Sequence, residues 1–208
     1  MTLDINTIYH GDCLELMKDI PDKSIDLVLT DPPYGISINN NMGRRKGDKP
    51  SDYKKCDWDK SRPDKIYFDE IQRISKNQII FGGNYFADML PPSSCWLVWD
   101  KGFSEDLSFA QIELVWSSFT SSSKKCKMSS SQKDRVHPTQ KPIKLIEWCL
   151  NKYSDEGMTI FDPFLGSGTT AIACINTGRN FIGIEKDEDY FNLAQKRVKE
   201  AQGQKRLI

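Results

Sequence analysis

What the chain is short of narrows its chemistry first. It has two histidines, His10 and His137, too few and too far apart to form a metal pair. Its six cysteines, Cys13, Cys56, Cys95, Cys126, Cys149 and Cys174, are scattered, with no Cys-x-x-Cys pair and no histidine cluster beside them. That pattern points to reduced thiols in a cytosolic setting and against a zinc site. No apolar run approaches the length of a membrane span and the N-terminal stretch is polar and charged, so neither insertion nor export is expected. Net charge is lacking too: 29 Lys and Arg face 29 Asp and Glu, and the overall balance announces no polyanionic partner.

Charge is nevertheless unevenly placed. From Asn39 to Arg62 eight basic residues, among them Arg44, Arg45 and Lys46, face four acidic ones. From Ser117 to Arg135 five, among them Lys124 and Lys125, face one. These Gly- and Ser-rich stretches read as solvated loops, or as a phosphate-binding rim.

Short apolar runs alternate with amphipathic stretches along the rest of the chain. Strands are expected at Asn6–His10, Ile25–Thr30, Asn77–Phe81, Cys95–Trp99, Ile112–Trp116, Met158–Phe161 and Asn180–Ile184, with Ile112–Trp116 at an edge. Helical spacing covers Leu14–Lys18, Asp64–Ser75, Ile143–Lys152, Thr169–Asn176 and Asp189–Ala201, and Pro142 fixes one helix start. Between Ser117 and His137 there is no strand signal. The closing strand–loop–helix–strand–acid unit is the mononucleotide half of a doubly wound α/β fold, whose ligands bind beyond the carboxyl ends of the strands.

Two segments carry chemistry. Asp31-Pro32-Pro33-Tyr34 follows the strand Ile25–Thr30 directly. Two prolines withdraw two N–H donors, which leaves a carboxylate and free carbonyls to accept hydrogen bonds from an amine. Alone, the tetrapeptide reads more readily as an ordinary turn than as a site. The second segment, Phe161 to Thr170, holds Asp162, Phe164, Gly166, Ser167, Gly168 and Thr169. Its glycines let backbone approach a ligand at a helix N-terminus, but Thr169 stands where a phosphate loop needs Lys, and a third glycine is absent. Asp162 suits a cationic group, and Glu185, at the end of the next strand, suits the two hydroxyls of a ribose. A nucleoside with a cationic tail meets these demands.

Together with Gly11-Asp12-Cys13 and His137-Pro138-Thr139-Gln140-Lys141-Pro142, these segments resemble the amino-group DNA methyltransferases that use S-adenosylmethionine. The order, tetrapeptide early and glycine loop late, resembles the circularly permuted beta class. Phe81–Phe86 and Trp96–Lys101 further resemble adenine methyltransferases of phages and prophages. The resemblance implies a single domain over residues 1–208 with a circularly permuted Rossmann-like fold: a mostly parallel, seven-stranded sheet with helices on both faces, the N-terminal strand beside Asn180–Ile184. It implies transfer to the N6 amine of an adenine flipped out of DNA, with Asp31, Pro32, Pro33 and Tyr34 catalytic. There Asp31 and the Pro32 carbonyl hold the amine and Tyr34 offers the base a stacking face. Asp31 needs no raised pKa for that task.

The implied cofactor site comprises Asp12, Cys13, Asp31, Thr139, Lys141, Pro142, Asp162, Phe164, Gly166, Ser167, Gly168, Thr169, Thr170 and Glu185, without metal. Asp12 alone reads equally as a helix N-cap. DNA is the expected partner, through Arg44, Arg45, Lys46, Lys124 and Lys125, with residues 35–62 a mobile DNA-binding loop and 117–136 a short basic segment too small for a recognition domain. A homodimer, and a restriction-modification role in the cytoplasm of a bacterium or a phage-infected host, complete the expectation. Competing readings are cytosine-N4 transfer, which Asp31 disfavours, and a catalytically silent nucleic-acid-binding subunit. RNA and release-factor amine methyltransferases are more distant, since they carry Asn at the head of the tetrapeptide.

Overall fold

Side-chain alternation builds the sheet. In the computed structural model, which describes residues 3–36, 59–103, 110–130 and 140–205, strand β2 (Ile25–Thr30) sends Leu27 and Leu29 into one apolar layer and Ile25 and Val28 into the other. Burial on both faces explains its near-continuous hydrophobic run. The other strands are β1 (Thr7–His10), β3 (Ser75–Phe81), β4 (Cys95–Asp100), β5 (Ile112–Ser117), β6 (Lys124–Lys127), β7 (Thr159–Asp162) and β8 (Asn180–Glu185). They form one sheet in the order β1-β8-β7-β2-β3-β5-β4-β6. All pairings are parallel except those of β5 with β3 and with β4.

Helices α3 (Ile143–Tyr153), α4 (Thr169–Thr177) and α5 (Glu188–Lys205) cover one face, where Leu145, Ile146, Ala171, Cys174 and Ala194 meet Leu27, Leu29 and Ile160. Helices α1 (Cys13–Met17) and α2 (Lys65–Ile74) cover the other, through Met17, Ile71 and Ile74 against Val28, Phe161 and Ile182. Trp99 and Trp116 are core residues whose indole N–H groups donate to the carbonyls of Met128 and Pro91. The five cysteines among the described residues are free and buried. No helix among the described residues is long and apolar enough to cross a membrane.

β1 does pair with β8, in register Thr7 to Ile182 through His10 to Glu185, so the two ends of the chain close the cofactor half of the sheet. Two expectations are corrected. The sheet has eight strands, because Lys124–Lys127 joins β4 within the stretch expected to lack a strand. Only Cys126 of that tetrapeptide is buried, so it has no apolar alternation to read; the unpaired backbone of β4 recruits it. β5 is an interior strand, not an edge, because it pairs with β3 on one side and β4 on the other.

Candidate active site

The carboxyl ends of β1, β2, β7 and β8 open into a cleft of about 660 Å³, with Asp12, Asp31, Lys141, Asp162, Gly166 and Glu185 in its lining. β7 delivers Asp162 at the floor. Thr30 and Thr170 hydroxyls donate to its two carboxylate oxygens at 2.7 and 2.6 Å, and the Phe164 N–H donates at 3.1 Å. Burial pushes this carboxyl up to about 6, against the pull of those donors. β8 delivers Glu185, whose Oε2 accepts from the Gly166 N–H and Oε1 from the Asp187 N–H, both at 2.7 Å. Burial raises this carboxyl too. Each oxygen retains a lone pair for a hydroxyl.

The glycine loop divides into two functions. Gly166 has φ 55°, and a Cβ built on it would meet no protein atom within 4 Å, because its open side is the cleft. Gly168 has φ 84° and lies off the cleft; its missing side chain lets α5 approach, since a Cβ would stand 3.1 Å from the Cβ of Ala194. Phe164, Ser167, Thr169 and Thr170 line the cleft. The open glycine cradle, the floor carboxylate and the distal Glu185 fit a nucleoside with a cationic tail.

Asp12 is a helix N-cap at the cleft wall. Its Oδ1 accepts from the Leu14 N–H at 2.9 Å as the N-cap of α1, its Oδ2 accepts from Lys186 at 2.9 Å, and it lines the cleft. Burial works upward on this carboxyl, but Lys186 and the backbone donors outweigh it and hold the pKa below its ordinary value. Cys13 lines the cleft as a neutral thiol, pushed by burial up to about 12.

At the other end, β2 delivers Asp31. Its Oδ1 accepts from the Tyr34 hydroxyl at 2.6 Å and its Oδ2 from the Lys141 ammonium at 2.5 Å. Lys141 reaches Glu113 on β5 at 3.0 Å, Glu113 also pairs with Lys101 at 3.1 Å, and the Tyr34 hydroxyl lies 2.8 Å from Glu113. Burial, with the Glu113 charge added, raises the pKa of Asp31 although Lys141 opposes it. For Glu113 burial also works upward, but Lys141 and Lys101 outweigh it and the pKa falls below normal. Burial alone would lower Lys141; the two carboxylates hold it above its ordinary value. Burial, then Asp31 and Glu113, raise Tyr34 far above its usual range.

Several expected residues sit differently. Tyr34 does not offer a free stacking face: its ring is stacked on Tyr85 at 4.7 Å with Phe86 edge-on. Gly82, at φ 65°, packs so closely that a Cβ there would fall 2.2 Å from the ring, and the doubly anchored hydroxyl fixes the rest. Pro32 is buried and neither it nor Pro142, the residue before α3, lines the cleft. Lys141 lies in the cleft, but its ammonium engages Asp31 and Glu113 at the amine end. Thr139, Arg44, Arg45 and Lys46 lie outside the described residues, as do residues 37–58 of the expected loop. Lys124 and Lys125 stand on β6, three strands beyond β3, where Lys125 pairs with Asp100 at 2.8 Å.

Sequence reasoning missed four residues. Glu113 is the one charge inside the apolar run Ile112–Trp116, a signal available in the sequence. Lys101 was visible only within the Trp96–Lys101 resemblance. Asp59 was counted among loop acids, yet it is buried and accepts the N–H groups of Tyr34 and Gly35 at 2.8 and 3.0 Å, which fixes the backbone of the tetrapeptide. Arg62 holds Asp88 through two hydrogen bonds and also donates to the Tyr85 carbonyl.

Known proteins resemble this chain in sequence and in fold. Type II methyltransferase M.HinfI of Haemophilus influenzae is 29% identical over 94% of this chain and 69% of its own length. Type II methyltransferase M2.MboI of Moraxella bovis is 25% identical over 93% and 87%. Among solved structures, M1.HpyAVI in complex with SAM superposes with a TM-score of 0.64 at 22% identity, covering 92% of this chain and 98% of that one. PvuII DNA methyltransferase, described as cytosine-N4-specific, reaches 0.65 at 15% identity, covering 97% and 93%. These likenesses show the common fold. The family model described as DNA methylase, of the N6/N4 type, matches residues 91–196, just over half of the sequence, and the chain belongs to that family.

Proposed function

We propose that this chain transfers the methyl group of S-adenosylmethionine to the exocyclic N6 amine of an adenine extruded from DNA. The observation that carries the reading is Asp31: a half-buried carboxylate directly after β2, opening on the same cleft as Asp162 and Glu185. The N6/N4 family assignment and the solved complex of a relative with SAM support the cofactor. Bound in the cleft, the cofactor supplies a methyl group on a positively charged sulfur.

The chain's own residues do the rest. Asp162 gives the cationic tail a buried anionic neighbour, and Glu185 accepts from the ribose hydroxyls. Gly166 lets the backbone approach the ligand without a side chain in the way. An adenine amine is a poor nucleophile because its lone pair is delocalised into the ring. Asp31 accepts one of its hydrogens, which favours a pyramidal nitrogen whose lone pair points at the methyl. Lys141, held by Glu113 and Asp31 together, fixes the orientation of the Asp31 carboxylate. Inside a duplex the amine is paired and out of reach, so the base must leave the stack. The Tyr34–Tyr85 pair supplies an aromatic wall beside Asp31.

Asp at the head of the tetrapeptide favours adenine over cytosine. Incubation with tritiated S-adenosylmethionine and unmethylated DNA, followed by nucleoside mass spectrometry, tests this. N6-methyladenine is expected; N4-methylcytosine would move the substrate to cytosine, and DNA binding without transfer would sink both. Asp31→Ala abolishes transfer, by roughly 1,000-fold or more, while cofactor affinity stays nearly intact. The variant folds, because Lys141 keeps Glu113 as its partner.

A further inference from the structure

The Tyr34 hydroxyl is short of hydrogens for the contacts it makes. It lies 2.6 Å from Asp31 Oδ1 and 2.8 Å from Glu113 Oε1, and both oxygens are acceptors when ionised. A phenol carries one hydrogen, so only one of these two contacts is a hydrogen bond while both carboxylates are ionised. Lys141 does not fill the gap. Its three hydrogens are used on Asp31 Oδ2 at 2.5 Å, Glu113 Oε1 at 3.0 Å and Tyr34 Oη at 3.3 Å. Lys101 is engaged on the other Glu113 oxygen. The chain Asp31–Tyr34–Glu113 therefore has room for one more proton, and methylation of an amine releases one.

We propose that Tyr34 and Glu113 form a relay that carries the amine proton away from Asp31, with Glu113 as its terminus. The proposal rests on the reading that Asp31 holds the amine. The nitrogen lone pair forms the bond to the methyl as the carbon–sulfur bond breaks and its pair stays on sulfur; an N–H bond then breaks, its electron pair stays on nitrogen, and an O–H bond forms at Asp31. Tyr34 then gives its own hydroxyl proton to Glu113 and receives the Asp31 proton in its place. Tyr34 is neutral before and after, Asp31 is again an anion, and Glu113 is neutral. Its side chain, 11% exposed, releases the proton to water.

Among the described residues, the charged groups in contact with the relay are these. Asp31 and Tyr34 follow β2, Glu113 lies on β5, Lys101 follows β4 and Lys141 precedes α3, with Asp162 of β7 adding a repulsive charge behind Asp31. Two ammonium groups balance Asp31 and Glu113 before transfer; the added proton takes the set to one net positive charge, as the cofactor's sulfur loses its own, until Glu113 releases that proton.

The test is single-turnover methyl transfer at saturating cofactor and DNA, across mildly acidic to alkaline pH. Glu113→Gln keeps the shape but cannot take the proton. Its rate at neutral pH is expected to fall roughly 10-fold or more and to climb back toward wild type as pH rises, because solvent base then relieves Asp31 directly. Glu113→Asp is expected to recover part of the rate. Tyr34→Phe interrupts the same relay by removing one oxygen, and it carries the test if a Glu113 variant fails to fold. Tyr34→Phe/Glu113→Gln is expected to be no slower than the slower single variant. A pH-independent loss, a loss below about 2-fold, or additive losses in the double variant would overturn the relay. If wild type methylates DNA and Asp31→Ala does not, such results reject the relay alone; if wild type transfers no methyl, the proposed function itself fails.

Discussion

At the nucleoside end of the cleft, Asp162 and Glu185 are held by threonine hydroxyls and backbone N–H groups; at the amine end, Asp31 and Glu113 are held by lysines and a phenol. The first arrangement is mostly local: Phe164 and Thr170 lie two and eight residues from Asp162, and Gly166 lies 19 from Glu185. The second joins residues 79 and 110 positions apart. Neutral, local donors build a rigid cradle that tolerates an arriving cation. Distant opposite charges build a network whose members stabilise one another and whose balance fails when one is removed.

Removing the lysine breaks the contrast most severely. Lys141→Met leaves Asp31 and Glu113 as buried like charges, and a loss of roughly 3–5 kcal/mol is expected, seen as a lowered denaturation midpoint. The damage shrinks toward acid pH, where the carboxylates take up protons. A loss below about 1 kcal/mol would show that Lys101 alone balances the site.

The nucleoside end responds to pH instead. Asp162 titrates at about 6 in the folded protein against an ordinary 3.8. A cationic ligand prefers the ionised form, so cofactor affinity is full above that value and falls as pH drops through it, by at most about tenfold per unit. Calorimetric titration across this range reads it, and Asp162→Asn flattens the profile. Without ligand the sign is opposite. The raised carboxyl contributes stability that is present below its unfolded value and lost as pH rises through about 6, so wild type gains relative to Asp162→Asn on acidification.

Two smaller tests separate backbone from surface. Gly82→Ala puts a methyl group against the Tyr34 ring at a φ of 65° and is expected to cost about 1–3 kcal/mol and to slow transfer without changing cofactor affinity. Lys186→Ala removes the partner of Asp12 on an exposed side chain, and denaturant unfolding is expected to register less than about 1 kcal/mol.

The same contrast explains what the sequence disclosed. Asp162, Gly166 and Glu185 were legible because strand, loop and helix follow one another, so spacing alone brings them to one rim. Asp31 was legible as the end of a buried run. The partners of Asp31 were not: Lys141 was assigned to the cofactor and Glu113 passed over, because only the finished sheet sets β5 near the end of β2. The surroundings of the Tyr34 ring were hidden for a related reason, since Gly82 and Tyr85 reach it from beyond β3. β6 was invisible because its pairing needs backbone alone.

The β1–β8 seam has a consequence for how this protein is made. Asn6 donates from its side-chain amide to Asn180, 174 residues later. As the chain leaves the ribosome, Asp12 and Asp31 emerge early but have no cofactor wall to face until β7 and β8 follow. So long a closure makes the seam a late event in folding. A stalled or truncated product carries Asp31 without the β7–β8 wall that bears Asp162 and Glu185, so the cleft itself is a product of the completed sheet.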